Sequence, residues 1–129
     1  PKNFILKKII SGIRDIKFAK NKMKKIEIGN INIKRDWGWA PEYVRFMYKI
    51  SILNFIGDIV VATGKSQKLS YVIKKILKKN NLSFKKVIKI SKKYYRKNEI
   101  KENYADISKI KRIFNSKPKY GIAKIIDNL

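Results

Sequence analysis

The chain has 129 residues, and its hydrophobic fraction of 44% is sufficient to bury the core of one domain. Cysteine and histidine are absent, which excludes disulfides, thiolate metal sites and histidine-based catalysis, and we predict no metal site. The net charge of +24 would suit a protein that neutralises nucleic-acid phosphates.

The positive charge comes mainly from lysine, and lysine, isoleucine and asparagine all have A/T-rich codons, which is typical of a genomic bias. Proteins that contact bases and phosphates rely on the planar arginine side chain, which is scarce here. We therefore predict no nucleic-acid partner and keep a basic nucleic-acid-binding module as an alternative. No apolar run approaches the ~20 residues that span a bilayer, so we expect a cytoplasmic protein without a membrane partner.

The first half of the chain predicts a helix, a strand and a second helix. Residues 4–20 carry isoleucine at helical spacing, which predicts an amphipathic helix. Residues 26–28 alternate apolar and polar side chains and end at a glycine, which predicts a short strand. Residues 41–50 begin with Pro-Glu, which suits a first helical turn, and continue with an apolar helical face.

The second half continues the alternation. Residues 58–62 form a β-branched run that predicts a buried strand, and residues 69–79 predict a strongly amphipathic helix. Residues 87–90 predict another strand. Residues 106–118 predict a helix with an aspartate cap and a proline at its end, and residues 122–129 predict a last helix. This alternation indicates an α/β fold in one portion, residues 1–129, since no repeat or linker interrupts it.

Two sequence features of dehydrogenases bear on catalysis by this chain. A Gly-rich turn that could hold a dinucleotide is missing, so we predict no cofactor-binding residue in this chain. Two Tyr-x-x-x-Lys pairs occur, Tyr71 with Lys75 and Tyr120 with Lys124, but a lysine-rich chain with 7 tyrosines produces such pairs by chance. We interpret both as structural and predict no catalytic residue.

The most distinctive segment is residues 35–44, Arg-Asp-Trp-Gly-Trp-Ala-Pro-Glu-Tyr-Val. It resembles the R-D-W-G-x-A-x-x-Y-V segment of GDP-mannose 4,6-dehydratases, which are extended short-chain dehydrogenase/reductase enzymes. Further matches to that family follow in order along almost the whole chain. They lie at residues 4–9, 29–30, 58–64, 94–99 and 106–118.

The resemblance implies the C-terminal part of an enzyme in the NAD(P)-binding Rossmann-like superfamily, a small helix/strand substrate domain that lacks the complete Rossmann half. The intact enzyme would be a lyase that converts GDP-mannose to GDP-4-keto-6-deoxymannose, with NADP held by the missing N-terminal domain. The expected partners are GDP-mannose, that missing half and further copies in a homo-oligomer. We expect this portion alone to be inactive.

Carried over residue by residue, the resemblance implies a substrate site formed by Ile5, Lys8, Asn30, Arg35, Arg96 and Glu99. The first two are placed near the guanine, the two arginines at the diphosphate, and the glutamate at the ribose or phosphate end. A guanidinium group can meet two phosphate oxygens in one plane, which suits that role.

The sequence also departs from the family pattern. Lys97 stands where the family has a proline, Lys68 where it has a helix-capping serine, and Ser116 where it has a tryptophan. Trp37 and Trp39 are interpreted as packing residues that hold a loop bearing Arg35. A related nucleotide-sugar reductase or epimerase is the neighbouring alternative.

Overall fold

The computed structural model describes residues 4–18 and 25–128. The chain divides into two compact units, each built from two stretches of sequence. The first unit comprises Pro1–Ile33 and Leu69–Glu99, and the second comprises Lys34–Lys68 and Ile100–Leu129.

Short helices and strands alternate through the described residues. In chain order they are α1 (Ile5–Phe18), β1 (Ile26–Ile28), β2 (Lys34–Asp36), α2 (Ala40–Ser51), β3 (Ser66–Lys68), α3 (Leu69–Lys79), α4 (Phe84–Val87), β4 (Ile88–Ile90), β5 (Glu102–Asn103), α5 (Ser108–Phe114) and α6 (Ile122–Asp127). A 3₁₀ turn covers Lys92–Tyr94.

The first unit is built around the parallel pair β1 and β4, in which Ile26 lies opposite Ile88. Helix α1 packs closely on β1, because a Cβ at Gly12 would lie 2.6 Å from the side chain of Ile26. The apolar stripe of α3 completes this core. Its buried members are Leu69, Val72, Ile73, Ile76 and Leu77.

The second unit contains a three-stranded sheet in the order β3-β2-β5. Strand β2 is central; it is antiparallel to β3 and parallel to β5. A small core forms beside this sheet from Phe46, Ala62, Ile107 and Ile110. The Phe46 ring meets Phe114 edge to face, with 5.7 Å between the ring centroids.

The α/β class and the main helices are confirmed. Helix α3 has the predicted bounds, and α1 agrees over its described length, whereas residues 19 and 20 of that prediction lie outside the described residues. The cap predicted at Asp106 is displaced by one residue, since Ile107 is the N-cap of α5 and makes no side-chain cap hydrogen bond. Asp106 lies just before it, and its Oδ1 accepts a hydrogen bond from the Ser108 backbone N–H at 2.9 Å.

The strand predicted at residues 58–62 is wrong. Among the described residues this segment joins no sheet, although Ala62 is buried and Ile59 and Val61 pack against the core. Val60, between them, is 53% exposed. Of this β-branched apolar run only Ala62 is buried, and the run does not pair because pairing also requires a neighbouring strand.

The polar strands β2, β3 and β5 were not predicted, because their residues lack apolar alternation. Arg35 was expected in a loop, and it lies in the central strand β2. Cross-strand polar contacts take the place of an apolar face. Glu102 of β5 pairs with Lys34 of β2 at 3.0 Å and also accepts a hydrogen bond from the Ser66 hydroxyl of β3.

Candidate functional site

Ile5 and Lys8 lie three positions apart on α1, so both side chains project from one face of the helix. Both residues are half-buried. The Lys8 Nζ lies 4.1 Å from the centroid of the Tyr94 ring, which is a cation–π contact. This contact holds Lys8 beside the segment that follows β4.

Asn30 lies at the carboxyl end of β1, and residues 91–99 follow the carboxyl end of β4. Because the two strands are parallel, these ends lie at one edge of the sheet, the edge where α/β proteins bind ligands. The Ser91 backbone N–H donates to the Ile28 carbonyl at 2.8 Å, which joins the two segments. The Asn30 side chain closes a local turn by accepting from the Asn32 N–H at 2.9 Å.

Gly29 permits a close approach between the backbone after β1 and the 3₁₀ turn after β4. A Cβ at this position would overlap the carbonyl oxygen of Tyr94, so the backbone after β1 runs directly against the 3₁₀ turn. Arg96 follows that turn and is exposed, and Glu99 is half-buried. The first unit therefore contains five of the predicted site residues, Ile5, Lys8, Asn30, Arg96 and Glu99.

Arg35 belongs to the second unit. Its Nη1 donates to the carbonyl of Lys34 at 2.7 Å and to the carbonyl of Ile100 at 2.8 Å. These two bonds fasten the half-buried guanidinium to the backbone beside β5. Arg35 thus has a structural role in the sheet that the sequence did not predict.

The residues that follow Arg35 each have a distinct structural task. The Asp36 carboxylate accepts hydrogen bonds from Thr63 and Gly64, and the Trp37 Nε1 donates to the Gln67 carbonyl at 3.2 Å. A Cβ at Gly38 would overlap the hydroxyl of Tyr43. Asp36 and Trp37 therefore fasten the chain to β3 and the turn that leads into it, and Gly38 leaves room for Tyr43 of α2.

Tyr43 lies beside this triplet. Burial, together with the nearby negative charge of Asp36, raises the pKa of Tyr43 to about 12 from its ordinary value of 10.0. The phenol consequently keeps its proton at neutral pH. It can donate a hydrogen bond there, and it is unsuited to act as a proton acceptor.

The second Trp of the motif has a packing role, as predicted. The Trp39 ring meets Tyr120 edge to face, with 5.4 Å between centroids, and the Trp39 backbone N–H donates to the Tyr120 carbonyl at 3.1 Å. The carboxylate of Glu42 accepts from the backbone N–H groups of Lys119 and Tyr120 at 2.8–2.9 Å. These contacts fix the segment that precedes α6.

The two Tyr-x-x-x-Lys pairs place the ammonium group over the aromatic ring. The Lys75 Nζ lies 5.5 Å from the Tyr71 ring centroid, and the Lys124 Nζ lies 5.5 Å from the Tyr120 ring centroid. Both are local cation–π contacts, the first within α3 and the second between α6 and the residue two positions before it.

A pocket of about 240 Å³ lies within the second unit and was not predicted. It is lined by Trp37, Thr63, Lys65, Gln67, Lys117, Pro118, Lys119, Gly121 and Ile122. The sequence contained only an indirect signal, since residues 117 and 118 belong to one of the matched motifs. The described residues include no acidic cluster that could hold a metal ion, and no helix among them is long and apolar enough to cross a membrane.

A protein-family model described as GDP-mannose 4,6 dehydratase matches residues 1–129. GDP-mannose 4,6 dehydratase 1 of Arabidopsis thaliana is 32% identical over 124 residues, which cover 96% of this chain and 34% of that protein. The human GDP-mannose 4,6 dehydratase is 25% identical over 145 residues, covering 96% of this chain and 37% of that protein. The chain thus spans about a third of the length of these curated relatives.

Solved structures show the same fold. UDP-glucuronic acid 4-epimerase from Bacillus cereus, in complex with UDP-glucuronic acid and NAD, matches with a TM-score of 0.78 and 17% identity, over 98% of this chain and 38% of that one. RMD from Pseudomonas aeruginosa, complexed with NADPH, matches with a TM-score of 0.74 and 18% identity, over 98% of this chain and 41% of that one. The chain therefore shares the α/β fold of part of each of these two structures.

Proposed function

Because the chain belongs to the GDP-mannose 4,6-dehydratase family, we propose that it forms the C-terminal, substrate-binding portion of a GDP-mannose 4,6-dehydratase. The intact enzyme is a lyase of nucleotide-sugar biosynthesis that converts GDP-mannose to GDP-4-keto-6-deoxymannose with NADP. The observation that carries the proposal is the family match over residues 1–129, which includes the Arg-Asp-Trp-Gly segment.

The chemistry of the first unit supports a role in holding the nucleotide. Lys8 and Arg96 supply positive charge, and Asn30 follows the carboxyl end of a parallel strand, the edge at which α/β proteins commonly bind ligands. Phosphate oxygens accept hydrogen bonds from ammonium and guanidinium groups, and these bonds are stronger than those between neutral partners. This portion would contribute binding and orientation of the sugar nucleotide, and proton transfer would belong to residues elsewhere in the enzyme.

The described residues do not fit a nicotinamide dinucleotide. Such a cofactor needs a Gly-rich turn after a parallel strand, where its pyrophosphate approaches the backbone. After β1 that place is taken by the Tyr94 carbonyl, which lies directly against Gly29. We therefore assign NADP to residues outside this chain and expect no turnover by the chain alone.

Isothermal titration of the purified chain with GDP-mannose tests the proposal. We expect saturable binding that GDP competes away, with weaker binding of UDP-glucose. Failure of both GDP-mannose and GDP to bind would contradict it. NMR of a mixture of the purified chain, GDP-mannose and NADP should show no 4-keto product. Product formation by the chain alone would overturn the assignment of catalysis to other residues.

The net charge of +24 favours one alternative, a nucleic-acid-binding module. A fluorescent duplex DNA provides the comparison. Tight binding at physiological salt, a steep salt dependence and no response to GDP would support that module. We expect only weak, salt-sensitive DNA binding.

For the intact enzyme we propose a cytoplasmic homo-oligomer, which sedimentation analysis would check.

A further inference from the structure

The pocket of the second unit combines an aromatic wall with three lysines. Trp37 forms one wall, and its indole N–H is already used by the Gln67 carbonyl, so the ring is held in place. Lys65, Lys117 and Lys119 also line the pocket, whose volume is about 240 Å³. None of the six predicted substrate-binding residues is among its lining residues.

The ammonium groups retain capacity for an anion. Lys117 is half-buried, and its Nζ donates to the Thr63 carbonyl at 3.2 Å. An ammonium group has three donors, and one neutral carbonyl satisfies only one of them. Within residues 4–18 and 25–128, none of the three pocket lysines forms an ion pair.

The neighbouring carboxylates are engaged with the backbone of the pocket walls. Asp36 accepts from the N–H groups of Thr63 and Gly64, and Glu42 accepts from those of Lys119 and Tyr120. These bonds fix the two segments that carry the lysines. No aspartate or glutamate lines the pocket itself, so its charged lining groups are all positive.

We propose that this pocket binds a small phosphate monoester, such as a sugar phosphate. Phosphate oxygens are acceptors suited to several ammonium donors at once, and the Trp37 ring offers a flat surface to a compact organic part. The volume is below the range of pockets that enclose drug-sized ligands, which favours a small metabolite over a whole nucleotide sugar. Such a ligand would engage this second-unit pocket in addition to the proposed GDP-mannose substrate.

Isothermal titration with inorganic phosphate and with ribose 5-phosphate tests the pocket. We expect saturable binding, and Lys117→Met should weaken it about tenfold or more because a charge-assisted hydrogen bond is lost. Lys111→Met is the matched control, since Lys111 is an exposed lysine of α5 outside the pocket. Equal weakening by both variants would show diffuse attraction to a basic protein and would overturn the proposal.

A steric variant covers the case in which Lys117→Met fails to fold. A Cβ at Gly121 would lie 3.5 Å from the Trp37 carbonyl, an ordinary contact, and the φ of −86° accepts any side chain. Gly121→Val therefore adds bulk to the pocket lining and leaves every charge in place. Loss of ribose 5-phosphate binding in Gly121→Val supports the pocket, and unchanged binding contradicts it.

Arg96→Ala separates this proposal from the proposed function. If ribose 5-phosphate binds in this pocket, its affinity should be unchanged in Arg96→Ala, both when GDP binding falls and when it does not. Phosphate binding that is lost in Arg96→Ala and retained in Lys117→Met would place the phosphate at the predicted diphosphate site, and the pocket proposal would then be wrong.

Discussion

The carboxylate of Asp36 accepts a hydrogen bond from the backbone N–H of Gly64 at 2.7 Å, although the two residues are separated by a whole helix and a loop. The other carboxylate oxygen accepts from the Thr63 hydroxyl at 2.5 Å. Gly64 has a φ of +72°, which favours glycine, and Thr63 is buried. Asp36 thus fixes the turn that leads into β3.

Asp36→Ala should lower the free energy of unfolding by about 1–3 kcal/mol, because it leaves the Thr63 hydroxyl and the Gly64 N–H without their acceptor. Urea unfolding followed by circular dichroism measures this change. Asp58→Ala is the matched control, since Asp58 is exposed, and it should change stability by no more than about 0.5 kcal/mol. Equal effects of the two variants would contradict a role of Asp36 in the turn.

Gly29→Ala should destabilise the first unit by about 1–3 kcal/mol, since the added methyl group would overlap the Tyr94 carbonyl and force the segment after β4 to move. The same movement would disturb the contact of Lys8 with Tyr94, so GDP affinity should also fall. Thermal unfolding and GDP titration measure the two effects. Gly121→Ala, where the Cβ has only an ordinary contact at 3.5 Å, should leave stability nearly unchanged; a stable Gly29→Ala protein would refute the packing argument.

Tyr43 should make stability depend on alkaline pH. Its pKa is about 12 in the folded protein and near 10.0 when unfolded, so the unfolded state loses its proton first. The stability that depends on the protonated Tyr43 phenol is fully present below pH 10 and is lost as pH rises from about 10 to about 12. Since lysines titrate in the same range, the informative quantity is the difference in pH dependence between the wild type and Tyr43→Phe. Identical pH profiles would show that the phenol titrates normally.

Arg96→Ala should weaken GDP binding by about 1–3 kcal/mol if the guanidinium contacts the diphosphate. The residue is exposed, so little change in stability should accompany this loss. Arg14→Ala removes the same charge from an exposed position on α1 and serves as the control. Similar GDP affinities for the two variants would remove Arg96 from the site.

Arg35→Ala should reduce both stability and GDP affinity. The stability effect follows from losing the bonds to the Lys34 and Ile100 carbonyls, and the affinity effect is the predicted diphosphate contact. Arg45→Ala, on an exposed position of α2 in the same unit, is the control. Reduced stability with unchanged GDP affinity would show that Arg35 has only a structural role.

Much of the helical structure could be predicted because helix formation depends on side chains three and four positions apart. The apolar stripe of α3 is a pattern of this local kind. Strand pairing depends on distant segments, which is why residues 58–62 were wrongly predicted to be a strand and why the polar strand β2 was missed. Glu102, which contacts residues of both β2 and β3, had no signature in the sequence.

The candidate site shows the same division between features that residue order determines and features that depend on tertiary packing. The sequence by itself determined the family, through ordered motifs, and the apolar faces that form each core, since both are properties of residue order. Only the tertiary structure decided that Arg35 lies in a central strand and that Trp37, Lys65 and Lys117 line one pocket. The reason is physical: a cavity and a strand ladder are made by segments far apart in the chain, and their meeting depends on how whole elements pack.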